Sequence, residues 1–210
     1  MKYDLKKDRA DLYAPGAREF VRVVVPPITY LAIDGHGDPN TAPEYVQAVS
    51  ALYATGYAIK FAFRARTGDD FVVGPLEGLW SADDPASFAE RRKDAWDWTM
   101  LIPLPPLVAE VDVRAGLKTA ARKKPDLPIA AVTPLVIDEG DSLQIMHIGA
   151  YDAEGPTLAR LHHEVMPSLG LTWNGRHHEI YLGDPRRVAR ERLRTVLRQP
   201  VRPRDESGTR

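Results

Sequence analysis

The pattern that most constrains this chain is that it occurs twice. Residues 28–35 and 143–149 are apolar, β-branched runs that stop at glycine, and each leads through an acidic turn into an amphipathic helical repeat. In the first half, Asp38-Pro39-Asn40 precedes Thr41-Ala42-Pro43-Glu44, a capping-box spacing with proline in the first turn, and Val46, Val49, Leu52 and Tyr53 follow at helical intervals. In the second half, residues 152–157 precede Leu158, Leu161, Val165 and Met166 at the same spacing. Short strand candidates come next, at 70–73, 76–80 and 96–102 in one half and at 177–182 and 195–201 in the other. Overlaying the halves pairs Glu77 with Glu179 and the strand at Trp98 with the strand at Thr195. The expected fold is α+β, built from two strand-helix-strand-strand units at about 20–105 and 135–201. Between them, residues 103–134 read as a connector whose 108–124 stretch is helical and closed by Pro125.

The 210 residues, 44% of them hydrophobic, are enough for a sizeable core. Formal net charge is −1, with Lys and Arg scattered along the chain, so the basic footprint of a nucleic-acid binder is missing. The local exception is Arg186, Arg187, Arg190, Arg192 and Arg194, expected on a helix after Asp184-Pro185 and read as a solvated face rather than a phosphate-binding surface. The absence of cysteine excludes disulfides, thiolate metal sites and thiol nucleophiles. The first residues lack a signal-peptide core, and no apolar run approaches the roughly 20 residues that span a bilayer. A soluble, cytoplasmic protein with no membrane and no nucleic-acid partner is the expectation; its oligomeric state is open. Residues 202–210 are polar and aperiodic, and are expected to be disordered.

The stretch Gly175-Arg176-His177-His178-Glu179-Ile180-Tyr181-Leu182-Gly183-Asp184-Pro185 places a carboxylate inside a short strand. Alternation sends His177, Glu179 and Tyr181 to one face and Ile180 and Leu182 to the other. Either that face is solvated, as is common in antiparallel sheets, or it is a site where burial of an acid has to be matched by hydrogen bonds. Trp96 and Trp98 share a strand face that Met100 and Ile102 continue, while Trp80, Trp173 and Tyr181 end or adjoin other strands. Packing accounts for most tryptophans, yet four of them beside strand carboxylates also offer flat walls for a planar guest. Of six histidines, the adjacent pairs His162-His163 and His177-His178 cannot share a face, so no metal site and no cofactor is expected. His147, in an otherwise apolar strand, reads as a core residue or a cleft residue. No phosphate-cradling glycine loop and no Gly-x-Ser-x-Gly elbow occurs.

The same 175–185 segment resembles the terminal strand of GyrI-like small-molecule-binding proteins, and further segments support the likeness. They are Leu5-Lys6-Lys7, Ile33-Asp34-Gly35-His36-Gly37-Asp38-Pro39, Leu52-Tyr53-Ala54-Thr55-Gly56-Tyr57, Pro75-Leu76-Glu77-Gly78-Leu79-Trp80, Trp96-Asp97-Trp98 and Met146-His147-Ile148-Gly149-Ala150-Tyr151-Asp152. Together they span nearly the whole chain. The resemblance implies a single domain over 1–201 of two SHS2-type repeats, forming a mainly antiparallel sheet with helices behind one face and a ligand cleft between the halves. It assigns Glu179 as the pocket acid, with Tyr181 beside it, and makes Trp80, Trp98, Trp173, Glu77, His147 and Tyr151 candidate ligand contacts.

Function follows from that resemblance in three forms. One is a binder of planar, hydrophobic or cationic xenobiotics in an aromatic cage, a multidrug sink or sensor. Another is a hydrolase, since a free-standing GyrI-like subfamily opens the cyclopropane of yatakemycin- and CC-1065-type DNA alkylators and so detoxifies them. In that reaction Glu179 orients or deprotonates the attacking water, while Tyr181 or an indole N–H supports charge at the dienone oxygen. A gyrase-inhibitor-like protein-interaction module is a minor alternative.

Overall fold

The computed structural model describes residues 2–84, 90 and 92–204. In chain order the strands are β1 (Lys2–Tyr3), β2 (Val21–Val25), β3 (Ile28–His36), β4 (Asp70–Phe71), β5 (Leu76–Ser81), β6 (Asp97–Pro103), β7 (Thr133–Ile137), β8 (Gly140–Ile148), β9 (Leu171–Trp173), β10 (His177–Tyr181) and β11 (Arg194–Pro203). The helices are α1 (Leu5–Asp8), α2 (Ala10–Tyr13), α3 (Pro43–Thr67), α4 (Glu110–Lys123), α5 (Gly155–Arg160) and α6 (Met166–Ser168), with a π-helical turn at Leu161–Val165 joining the last two. The chain divides into two compact units, Met1–Ala10 with Pro27–Ile137, and Asp11–Pro26 with Asp138–Arg210. The fold is α+β, and apart from the short parallel pair β1–β4 the strands within each unit pair antiparallel.

Both units are built to one plan. The first has strand order β5-β6-β3-β7 and the second β10-β11-β8-β2, every pairing antiparallel, with a long helix following the third strand of each order. Those third strands, β3 and β8, run out at Gly37 (φ 98°) and Gly149 (φ 145°), a left-handed conformation that glycine tolerates and L side chains resist. The two glycines stand equally far ahead of the first helical residues, Pro43 and Gly155. That coincidence sets the equivalence between the halves, so that Gly35 matches His147, Trp98 matches Thr195 and Trp80 matches Tyr181.

In the first unit, α3 lies on the sheet face that carries Trp98, Met100 and Ile102. Tyr45 meets the Trp98 ring edge-on at 5.3 Å, and a Cβ on Gly56 would come within 3.9 Å of Ile102. The helix buries Ala48, Leu52, Thr55, Gly56, Ile59 and Phe63, and leaves Val46 exposed. Small residues were not anticipated on that face. They are there because α4 also packs on α3, so closely that a Cβ on Gly116 would lie 2.3 Å from Ile59 Cγ1. Thr41 does not cap the helix: Ala42 holds the N-cap position without a side-chain bond, and Pro43 begins the first turn. Asp112 fixes the start of α4, accepting the Ala109 N–H at 3.0 Å and a two-pronged bond from Arg66 at 2.7 and 2.6 Å.

In the second unit, Leu143 of β8 and Val201 of β11 pack with Leu161, Met166 and Leu171 under the helical segment. The expected helix through the arginine cluster does not form. Residues 182–193 are turns with one 3-10 turn at Arg190–Arg192, and Asp184 gathers both Arg186 and Arg187. Pro185 and a run of arginines with few apolar neighbours leave no face for a helix to bury. Residues 202–204, expected to be disordered, are ordered instead: β11 continues to Pro203, Arg202 pairs with Thr172, and the Arg204 N–H donates to Gly170 O at 2.8 Å. Residues 205–210 lie outside the described part of the chain. Among the described residues no helix is long and apolar enough to cross a membrane.

Candidate functional site

Strand β10 carries the site. Its residues pair with β11 as His178 with Arg198, Glu179 with Leu197, Ile180 with Val196 and Tyr181 with Thr195, and β11 pairs onward so that Thr195 faces His147. His177, Glu179 and Tyr181 therefore share one face with Leu197, Thr195, Ile145 and His147, the face that also bears Leu143 and Val201. This is the helix-bearing face of the sheet, so Glu179 does not stand on the side opposite the helices as the family arrangement suggested. It is not wholly covered there: its side chain keeps 15% exposure and that of His177 12%.

The Tyr181 hydroxyl donates to Glu179 Oε2 at 2.8 Å, which fixes the carboxylate along the strand. Tyr151, in the 3-10 turn that precedes α5, sets its ring edge against Tyr181 with centroids 5.4 Å apart. Burial, aided by the charges of Glu154, Glu179 and Asp184, pushes the Tyr151 phenol up to about 12, so it stays protonated at neutral pH. His147 Nε2 lies 3.2 Å from Ala150 O, just beneath that turn. Glu179, Tyr181, Tyr151 and His147 thus come from three separate stretches of sequence and meet at one end of a sheet.

Trp173 stands at the far end of the same unit, in β9, 46% exposed and tilted at 41° against the His162 imidazole with ring centroids 4.1 Å apart. That contact was not foreseen, because nothing local links a helix histidine to a strand tryptophan. On the reverse face, His178 enters a buried network that sequence reading also missed. Its Nδ1 lies 2.9 Å from Glu139 Oε1, Arg198 Nη1 donates to Glu139 Oε2 at 2.9 Å, Arg198 Nε donates to Gln144 Oε1 at 3.1 Å, and Arg198 Nη2 donates to Leu12 O at 2.9 Å. The available signal was Arg198 itself, a cation amid an apolar strand run, which requires a buried acid.

The remaining candidates belong to the first unit. Trp80 is buried and meets Trp96 edge-on at 5.7 Å. Trp98 is buried too; its indole N–H donates to Gly37 O at 3.3 Å, and it forms one wall of a cavity of about 360 Å³ with Ile33, Gly35, Gln47 and Ala48. Glu77 is fully buried and pairs across to Leu101, so it points away from α3, whereas Gly78 shares the helix-side face with Met100. Gly78, not Glu77, is the counterpart of Glu179. The overlay of the two halves was one residue out of register, and in a strand a single step changes the face. Among the described residues no group of three or more His, Cys, Asp or Glu could hold a metal ion.

Comparison with known proteins accords with this architecture. Residues 19–202 match the model of the GyrI-like small molecule binding domain. An uncharacterized conserved protein from Listeria innocua is 38% identical, with a TM-score of 0.87 over 95% of this chain and 100% of its own. Two structures described as hydrolases from Listeria innocua are each 37% identical. One has a TM-score of 0.85 over 96% of this chain, the other 0.81 over 95%, and both are covered over 100% of their own length. None of the curated proteins compared with the chain matches it. A family match across most of the sequence, with the strand order and the carboxylate strand in place, makes this chain a member of the GyrI-like small-molecule-binding family.

Proposed function

We propose that the protein binds flat, hydrophobic or cationic small molecules against the Glu179 face of its second unit, and that it hydrolyses the strained cyclopropane of yatakemycin- and CC-1065-type alkylating agents, protecting the cell from them. The observation that carries the reading is the 2.8 Å bond from the Tyr181 hydroxyl to Glu179 Oε2, with Tyr151 closing over Tyr181. A part-buried carboxylate held by one phenol and lined by another is suited to orient water beside an aromatic guest. Relatives of nearly full coverage described as hydrolases support the same direction.

The chemistry asks little of the protein. The cyclopropane is conjugated to a dienone, so attack of water at the ring methylene sends the electrons of the broken C–C bond to a remote oxygen. Glu179 takes up the water proton. Because the Tyr181 hydroxyl is engaged with Glu179, Tyr181 sets the angle of the base, and Tyr151, which keeps its proton, is the phenol left to hydrogen-bond the polar edge of the guest. Trp173 and His147 bound the same face of the unit; Glu77, Trp80 and Trp98 carry no part of this proposal.

The test is incubation of the full chain with a cyclopropane-bearing alkylator, with product read by mass. Repeated turnover to a water adduct, lost in Glu179→Gln while binding persists, is the expected result. Stoichiometric uptake without product identifies a non-catalytic sink, and no binding of any planar amphipathic compound refutes both.

A further inference from the structure

Buried polar side-chain atoms in folded proteins nearly all have hydrogen-bond partners. In the second unit, four with no well-formed hydrogen bond among the described residues occur on adjoining side chains: both ring nitrogens of His177, Nε2 of His162 and Oε1 of Gln199, although the Gln199 side chain approaches His177 closely enough for a loose one. His177 is one residue before the His178–Arg198 pair, which sets it across from Gln199 on β11. Gln199 spends its amide nitrogen on Gly175 O and Pro200 O at 3.0 and 3.1 Å, so Oε1 is the end of that side chain turned to His177, where it backs one ring nitrogen and leaves the other for a further partner. His162 is close enough for its charge to bear on His177. It is presented by the π-helical turn Leu161–Val165, a rare backbone form that occurs mostly as single turns within helices and is frequent at functional sites.

Both imidazoles are neutral. Burial first, and the neighbouring histidines second, bring His177 down to about 3 against the smaller opposing effects of a Gln199 hydrogen bond and the Glu139 charge, and bring His162 to about 4. A neutral imidazole has one donor and one acceptor nitrogen, the pair of functions that a water molecule matches. His177 Nε2 lies 3.8 Å from Glu179 Oε1. That is too far for a direct hydrogen bond, and is a separation at which an ordered water is the usual link.

We propose that His177, backed by His162 and Gln199, holds the water consumed in hydrolysis and presents it to Glu179. The inference rests on the hydrolase reading of Glu179. One hydrogen of the water is accepted by His177 and the other by Glu179, which turns an oxygen lone pair toward the electrophilic methylene. As the C–O bond forms, the bond between the methylene and the ring carbon breaks and its electron pair passes through the dienone to the distant oxygen. One water proton goes to Glu179, and the resulting phenolate takes a proton from solvent. His177 ends the step as it began, neutral, and is a positioning residue.

The experiment uses the full chain as wild type, His177→Gln, His177→Phe, Gln199→Leu and Glu179→Gln, with a cyclopropane-bearing alkylator in buffer containing methanol as a competing nucleophile. Wild type is expected to give the water adduct in large excess. His177→Gln keeps a donor and an acceptor and retains most of the turnover. His177→Phe loses on the order of 10²-fold in kcat with KM changed less than about threefold, and its residual product shifts toward the methyl ether. Gln199→Leu shifts the product ratio in the same direction, and serves if His177→Phe does not fold. Should folded His177→Phe keep both wild-type kcat and wild-type product ratio while Glu179→Gln is inactive, the water-holding role is overturned and the Glu179 reading stands. If Glu179→Gln turns over normally, or wild type forms no adduct, the hydrolase reading fails and this inference with it.

Discussion

Glu139 offers the sharpest test of the physics, because it is the buried anion that matches Arg198 and bonds His178 on the back of the site strand. Its side chain is 3% exposed and that of Arg198 1%. Replacing Glu139 by Gln keeps the shape and strands the guanidinium, and removing one partner of a buried pair costs about 3–5 kcal/mol. A second route gives a similar size. Burial alone would raise the carboxyl, but His178 and Arg198 together outweigh it and lower it from 4.5 to about 2, a difference worth about 3 kcal/mol. The folded value lies below the unfolded one, so this contribution is complete above about pH 5 and drains away as pH falls toward 2. With an unfolding entropy of about 2.1 cal/mol/K per residue over 210 residues, about 3 kcal/mol corresponds to a fall in Tm of about 7 °C. Calorimetry of wild type and Glu139→Gln from pH 7 to pH 3 should show that gap at neutral pH and its narrowing in acid. The combined replacement Glu139→Met, His178→Leu, Arg198→Met should recover part of the loss, since a well-packed apolar substitute has no charge to desolvate. A Glu139→Gln melting point within about 1 °C of wild type at pH 7, or a gap that stays constant with pH, would refute the reasoning.

Two further outcomes follow from the packing around Trp98 and from the buried phenols. In Gly35→Ala the new Cβ would stand 2.0 Å from Trp98 Cη2, and the indole is already wedged against Tyr45, so a loss of about 1–3 kcal/mol is expected in denaturant titration; unchanged stability would show that Trp98 is free to move. In a spectrophotometric titration of the eight tyrosines, Tyr3 and Tyr151, both raised to about 12 by burial and by neighbouring acids, should contribute to a late phase, and Tyr151→Phe should shrink that phase by one residue.

Much of the chain declares itself locally. The runs beginning at Ile28 and Leu143, the helix after Asp38-Pro39 and the alternation of His177, Glu179 and Tyr181 depend on near neighbours, and the structure has strands and a helix there. Local patterns misled where tertiary contact decided the outcome. Val46 falls in a helical apolar repeat but is exposed, because α3 is gripped by the sheet and by α4 and needs small residues where they meet. Arg186 to Arg194 has helix-forming composition, yet Asp184 folds two of its arginines back and nothing apolar is available to bury.

By itself the sequence determined the α+β class, the doubling of one strand-helix-strand-strand plan, and the presence of an acid and a phenol on one side of a strand, since periodicity and turn chemistry act over a few residues. Only the tertiary structure decided that Gly78 is the counterpart of Glu179, that Tyr151 closes over Tyr181, and that His162 reaches Trp173. Strand register is set by pairing between distant segments, and a shift of one residue reverses which side chains face the helix, so no local pattern could assign those partners.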